Sequence, residues 1–309
     1  MILCLGTTPT VQRTMTFRNF TLDAVNRASK VLTSASGKSI NVARTLTRMK
    51  ISCIALGCVG GDSGKYISDD LTAAGIEYDF VPVRPATRTC TTIIDQGSGT
   101  TTELVEETPT LGENDFVDIL NLLARHLHKA TALVLSGTLA PNIPDSFYAQ
   151  CTAMAKRNEI PVILDTRHQP LLQALREKPT VIKPNIHELQ ETVNFPITDE
   201  ISLKKAIAEL QKQGPQWVII TNGAKEIVSS DGRKFWRITP PDILPVNPIG
   251  SGDAFAAGVA VALTTTCNLP EACRLAAAFG AANAMQSPPG HGNREDVDRQ
   301  FSQVKVEEM

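Results

Sequence analysis

Short apolar runs rich in Val, Ile and Leu recur along the chain: MILCLG (1–6), ISCIALG (51–57), TALVLSG (131–137), IPVILD (160–165), PTVIKPN (179–185) and QWVIITNG (216–223). Between several of them lie longer stretches whose apolar residues return at helical spacing, such as ENDFVDILNLLARHLH (113–128) and IPDSFYAQCTAMAKRN (143–158). A continuous apolar run bounded by turn residues suits a buried strand, and a period of about 3.6 suits an amphipathic helix. Strands alternating with helices predict an α/β fold: a mostly parallel sheet covered by helices on both faces. In such a sheet, ligands gather at the carboxyl ends of the strands. Several of these runs end there in Gly, Asp or Asn, as a site-bearing edge requires.

Two segments break the rhythm. TVQRTMTFRNFTLDAVNRASKVLTSAS (10–36) mixes polar and β-branched residues, and TRTCTTIIDQGSGTTTELVEET (87–108) is a Thr-rich alternation around a Gly-containing turn. The second reads as a hairpin, and together the two predict a small antiparallel sheet projecting from the main layer. No Pro/Gly/Ser-rich linker, internal repeat or low-complexity tract divides the chain. The expectation is one domain over residues 1–309, with lid segments at approximately 10–34 and 86–107 inserted in it. Lids of this kind commonly cover a substrate.

Composition narrows the partners. The 309 residues suffice for a substantial core, and 30 Lys and Arg against 32 Asp and Glu give a formal charge of −2 without runs of one sign. A nucleic-acid stripe or a polybasic membrane patch is therefore not expected, and a small polar ligand is. The apolar stretch AFAAGVAVAL (254–263) is too short to cross a bilayer. MILCLGTTPT lacks the basic and long apolar regions of a signal peptide and reads as a first strand. Seven cysteines, Cys267 among them, lie scattered without a C-x-x-C pair, several inside apolar runs. Buried reduced thiols and a cytoplasmic location follow as expectations. His126, His128, His168, His187 and His291 share no metal-ligand spacing and read as surface or loop residues.

Two glycine motifs carry candidate chemistry. TSASGKSINVA (33–43) contains Gly-Lys-Ser at the start of a helical stretch, but a phosphate loop would need a glycine at position 32, which is Leu32. In LPVNPIGSGDAFAAGVAVAL (244–263), Gly250, Ser251 and Gly252 lead straight into a small-residue helix. Free N–H groups and the positive end of the helix dipole converge there, so an anion should bind. A dinucleotide fingerprint would need a further glycine at Phe255. Asp253 places a carboxylate beside this anion site. It can act as a general base next to amides that stabilise a transferring phosphoryl group, or serve as an ordinary first-turn acid on the dipole. The local pattern leaves both open.

NPIGSGDAFAAG (247–258) resembles the second signature of the ribokinase-like carbohydrate kinases, the PfkB family, and SGKSINVA (36–43) resembles the first, usually Gly-Gly-Lys-Gly-x-Asn-x-Ala. Further matches follow in order: TRTCTTIID, LSGTLAPNIPDSFY, VILDTR, VIKPNIHEL, VIITNGAKE and AAAFGAANAM. They span nearly the whole chain. The spacing of AVNRAS before the first signature is most similar to the branch acting on phosphorylated hexoses, the fructose-1-phosphate and tagatose-6-phosphate kinases.

The resemblance implies a ribokinase-like three-layer sandwich with a small antiparallel β lid, and an enzyme using ATP and Mg²⁺. It implies that Asp253 is the catalytic base and that Gly250, Ser251 and Gly252 form the anion hole. Lys183, Asn185, Thr221, Gly223 and Asn283 would contact the nucleotide, with Asn185 and Glu188 organising Mg²⁺ through water. Gly37, Lys38, Ser39, Asn41, Ser136 and Gly137 would surround the sugar, and Arg88 would hold its existing phosphate by a two-pronged guanidinium contact. Independently of the resemblance, the exposed strand edges of the lid can pair or pack with a second copy, which makes a homodimer through the β lid an expectation.

Departures from the family pattern bear on the acceptor. Gln12 stands where relatives carry an aspartate that binds sugar hydroxyls, Ser39 stands at a glycine, and Pro248 replaces Thr or Ser. The expected acceptor is fructose 1-phosphate. Tagatose 6-phosphate, fructose 6-phosphate, an unphosphorylated sugar or nucleoside, and a non-catalytic sugar-phosphate sensor are the alternatives.

Overall fold

The computed structural model describes residues 1–265 and 268–309; Cys267 lies outside them. Strand β1 (Ile2–Leu5) leads into β2 (Thr10–Phe17) and β3 (Lys30–Ser36), then α1 (Lys38–Arg48), β4 (Cys53–Val59), α2 (Gly61–Ala73) and β5 (Tyr78–Pro82). A second strand pair, β6 (Thr89–Asp95) and β7 (Thr100–Val105), precedes α3 (Asp115–Leu127), β8 (Ala132–Ser136), α4 (Phe147–Arg157), β9 (Val162–Asp165) and α5 (His168–Leu175). The chain continues through β10 (Val181–Ile182), α6 (Ile186–Thr192), α7 (Glu200–Gln211), β11 (Trp217–Ile220), β12 (Ile227–Ser230) and β13 (Phe235–Thr239). It closes with α8 (Ser251–Thr264), α9 (Leu269–Ala284), α10 (Arg294–Phe301) and β14 (Lys305–Glu308).

All six apolar runs form strands of one ten-stranded sheet, ordered β14-β13-β12-β11-β10-β9-β8-β1-β4-β5. From β5 to β11 the pairings are parallel, whereas β12, β13 and β14 extend the edge antiparallel. Strand β1 lies between β4 and β8, with Leu3 opposite both Ile54 and Leu133. Its side chains divide between two cores. Ile2 and Cys4 join the one that contains Ile40, Ile67, Ala257, Ala276 and Val297 from α1, α2, α8, α9 and α10. Leu3 and Leu5 join the one that contains Leu122, Cys151, Leu171, Leu189 and Ile207 from α3 to α7. Both faces of the parallel sheet are thus covered, which is why its strands read as continuous apolar runs. Cys4, Cys53, Cys58, Cys90, Cys151 and Cys273 are free, buried thiols.

The segments outside the rhythm form a separate four-stranded sheet, ordered β3-β2-β6-β7. Two antiparallel pairs, β2 with β3 and β6 with β7, are joined through a parallel β2–β6 pairing. Strand β2 buries Thr10, Gln12 and Thr14 on one face, and every residue of β7 is exposed.

Helices α8 and α9 pack backbone to backbone because their contact is built of Ala and Gly. A Cβ on Gly258 would come within 2.6 Å of Ala276 Cα. This approach holds the N-terminus of α8 at the carboxyl edge of the sheet.

Candidate active site

Helices α1 and α8 each start at a glycine whose backbone no other residue adopts readily. Gly37 has φ 116°, and a Cβ there would lie 3.0 Å from Pro9 Cα. Gly250 has φ 80°, and a Cβ there would lie 2.8 Å from Pro289 Cβ. Both turns aim a helix N-terminus at the region beyond the parallel strands, where the helix dipole favours negative charge. In α8 the Ser251 N–H turns back to Pro248 O at 3.2 Å. The N–H groups of Gly252 and Asp253, in the same first turn, have no intrahelical acceptor.

Asp253 is only 6% exposed. Its Oδ2 accepts a 2.8 Å hydrogen bond from Asn41 Nδ2, which joins the two signature segments across more than two hundred residues. Burial pushes the Asp253 carboxyl up to about 6, with Asp165 adding to the rise and Lys38, Asn41 and Lys183 opposing it. A carboxylate poised there can accept a proton near neutral pH.

Around Asp253 lies a cluster of alternating charge. Half-buried Lys38 reaches Asp165 Oδ1 at 3.1 Å and Glu188 Oε1 at 3.8 Å. Buried Lys183 lies 3.2 Å from Asp165 Oδ2, and its Nζ would be 3.7 Å from a Cβ on Gly252, so it borders the first turn of α8. Burial favours the neutral form of Lys38, yet Asp165, Glu188 and Asp253 outweigh it and hold the ammonium above its usual value. Burial favours the neutral form of Asp165 too, but Lys183 and Lys38 prevail and keep its carboxyl below the usual range.

Asn185 and Glu188 form a reciprocal cap on α6. Asn185 Oδ1 accepts from the N–H groups of His187 and Glu188 at 2.9 Å, and Glu188 Oε2 accepts from Asn185 N at 2.9 Å. The Asn-x-x-Glu spacing therefore has a structural use, which leaves Glu188 Oε1 to face Lys38. Among the described residues, no cluster of three or more His, Cys, Asp or Glu side chains can cage a metal. The one Glu188 oxygen outside the cap, Oε1, suits instead a hydrated Mg²⁺ held mostly by water and phosphate.

Thr221 bridges to Asn185 and accepts from Ile186 N at 2.9 Å, while Gly223, φ 58°, borders open space. The buried side chain of Asn283 staples two loops: it donates to Ile249 O at 2.9 Å and Ser251 Oγ at 3.1 Å, and accepts from Gly290 N at 2.6 Å. It sets the shape of the GSGD loop.

On the other side of Asp253, Gly137 N donates to Asp165 O at 3.0 Å, placing Ser136 and Gly137 beside the charge cluster. Ser136 Oγ and Arg88 Nε are both buried without a hydrogen-bond partner, and Arg88 Nη1 donates to Glu106 O at 2.9 Å. Unpaired buried polar atoms are costly and mark positions where a ligand can complete the bonding. Gln12 Nε2 donates to Thr92 Oγ1 at 2.7 Å within the lid. Ser39 packs against Gly6, where an added Cβ would come within 2.8 Å of Ser39 Oγ, so its hydroxyl is directed at the end of β1.

Lys38, Asn41, Lys183 and Glu188 thus meet around Asp253 or Asp165, whereas Gln12 and Arg88 bond within the lid to Thr92 and Glu106; the sequence reading assigned no role to Asp165 or to Ser36. Ser36 Oγ donates to Asn41 Oδ1 at 3.0 Å. The signal for Asp165 was its position as the last residue of a buried parallel strand. The signal for Ser36 was its place at a signature glycine, which names no partner. His126 also differs from the reading: it sits on α3, half-buried, with Nε2 2.9 Å from Asp79 Oδ2.

A profile of the pfkB family carbohydrate kinases matches residues 1–295. A tagatose-6-phosphate kinase of Staphylococcus epidermidis is 34% identical over 312 residues, covering 100% of both chains. Among solved structures, a putative phosphofructokinase from Staphylococcus aureus is 26% identical with a TM-score of 0.81, covering 100% of this chain and 99% of that one. A possible 1-phosphofructokinase from Thermotoga maritima is 21% identical with a TM-score of 0.92 over the same shares, a likeness of fold.

Proposed function

The chain belongs to the pfkB family of carbohydrate kinases, phosphotransferases with an alcohol group as acceptor, and on that premise we propose that it transfers the γ-phosphoryl group of ATP to a hydroxyl of a ketohexose monophosphate, with fructose 1-phosphate the leading acceptor. The observation that carries this reading is buried Asp253 in the first turn of α8, beside free helix amides and joined to α1 through Asn41.

Asp253 takes the proton of the acceptor hydroxyl as the new O–P bond forms and the bond between the β and γ phosphates breaks. The N–H groups of Gly252 and Asp253, with Lys183, stabilise the charge spread over the transferring group. Gly250 and Ser251 hold the loop in shape, and Thr221, Gly223 and Asn283 frame the nucleotide. Three acids (Asp165, Glu188 and Asp253) and two lysines (Lys38 and Lys183) leave the cluster too anionic to welcome a nucleoside triphosphate alone. Glu188 would hold Mg²⁺ through water, with Asn185 fixing Glu188 through their reciprocal cap, and the ion would supply the missing positive charge.

The acceptor lies between α1 and the lid. Lys38 and the turn at Gly37 meet it from one side, Gln12 from the lid, and Ser136 with Gly137 from beneath; Ser39 narrows the floor by filling the space at Gly6. Arg88, with an unpaired buried Nε, holds the phosphate already on the sugar. The 34% identity to a tagatose-6-phosphate kinase favours tagatose 6-phosphate as a second reading. Leu22, Val25, Val31, Leu104 and Val105 are exposed in the lid segments, which supports a homodimer through this sheet. No helix among the described residues is long and apolar enough to cross a membrane, and the buried free thiols support a cytoplasmic setting.

An ATP-consumption assay over fructose 1-phosphate, tagatose 6-phosphate, fructose 6-phosphate, free sugars and nucleosides tests the reading. Turnover should be confined to phosphorylated ketohexoses, and Arg88→Ala should raise their KM. Turnover of unphosphorylated acceptors alone would refute the acceptor class, and turnover of none would leave the sensor.

A further inference from the structure

Ser36 stands where the first signature usually has glycine, so its hydroxyl is a feature of this chain. Strand pairing places it opposite Thr10 on the buried polar face of the lid that also carries Gln12. From there Ser36 Oγ donates to Asn41 Oδ1 at 3.0 Å, and Asn41 Nδ2 donates to Asp253 Oδ2 at 2.8 Å. All three residues are buried. An amide oxygen can only accept and an ionised carboxylate can only accept, so with Asp253 ionised the chain runs in one direction, from serine through asparagine to the carboxylate.

We propose that Ser36 is a positioning residue for the proton acceptor: its hydroxyl fixes and polarises the Asn41 amide, so that Asn41 presents N–H to Asp253 and favours its ionised form. The proposal rests on the reading of Asp253 as the base. Successive hydrogen bonds in a buried chain strengthen one another. Without Ser36, the Asn41 oxygen loses its donor inside the protein, and the amide can turn that oxygen toward the carboxylate. The remaining groups facing Asp253 stay in place. Lys38 on α1 and Lys183 after β10 favour the carboxylate, Asp165 at the end of β9 opposes it, and Glu188 on α6 faces Lys38.

The test compares wild type with Ser36→Ala and Ser36→Thr. The ¹³C carboxyl titration of Asp253 is followed in the ligand-free protein, its resonance assigned by loss in Asp253→Asn, and the pH profile of kcat/KM is recorded alongside. Ser36→Ala should move the Asp253 titration and the acidic limb upward by about half a pH unit, or roughly threefold lower activity on the acidic side. Ser36→Thr, which keeps the hydroxyl, should retain wild-type values. An unmoved titration in Ser36→Ala overturns the proposal, because a merely structural role would lower stability and leave the titration alone. Should wild type phosphorylate no acceptor, the kinase reading fails by itself, and the carboxyl titration still decides whether Ser36 acts on Asp253.

Discussion

Lys38 and Lys183 meet on one carboxylate, Lys38 Nζ 3.1 Å from Asp165 Oδ1 and Lys183 Nζ 3.2 Å from Asp165 Oδ2. Lys38 comes from the start of α1 and Lys183 from the segment after β10, so Asp165 holds the two ammonium groups to one carboxylate.

Asp165→Asn should therefore destabilise the fold. Lys183 is buried and would lose its ion-pair partner, at a cost of about 3–5 kcal/mol, read from urea unfolding at pH 7. Because the Asp165 carboxyl is held below its usual range, its contribution is present at neutral pH and is lost as pH falls through that lowered value. The gap between wild type and variant should narrow on acidification.

Asp253 has the opposite linkage. Its carboxyl rises from 3.8 to about 6 on folding, so between those values the native state holds a proton that the unfolded chain has released. The stabilisation from the protonated form is complete below 3.8 and gone above about 6. That span is worth about 3 kcal/mol at most. Asp253→Asn should be the more stable protein at pH 7 by up to that amount, with the advantage vanishing in strong acid. Thermal melts across pH check this, and the same ionisation should place the acidic limb of kcat/KM near 6.

Gln12 donates one amide N–H to Thr92 at 2.7 Å; if Gln12 faces the acceptor as proposed, its amide oxygen is the group that accepts from a sugar hydroxyl. Thr92→Val should cost about 1 kcal/mol, a roughly fivefold rise in acceptor KM, and Gln12→Glu should keep acceptor binding. Steady-state kinetics with both substrates varied would show an unchanged KM for ATP; an equal rise in both would contradict a role at the acceptor.

The parallel strands were legible because strands buried on both faces must be apolar throughout. Strands β12 to β14 were not: IVSS, FWRIT and KVEE are short, half-polar and at the sheet's edge. Gly250 to Asp253 stood out because a glycine turn, a helix start and an acid coincide in sequence. Asn185 and Glu188 were visible as a pair, but three-residue spacing is also what a helix cap needs, and only the fold turns Glu188 Oε1 toward Lys38. Asp165 and Ser36 were given no role because their partners lie on other elements: the strand-end position of Asp165 marked the site-bearing edge without naming Lys38 and Lys183, and the place of Ser36 at a signature glycine named no partner.

The most direct measurement is the turnover of Asp253→Asn with ATP and the best ketohexose phosphate. If Asp253 is the proton acceptor, kcat falls by about 10²–10⁴-fold, with both KM values little changed and the melting temperature at pH 7 no lower than wild type. A kcat within about twofold of wild type in the folded variant would contradict the assignment of Asp253 as the base.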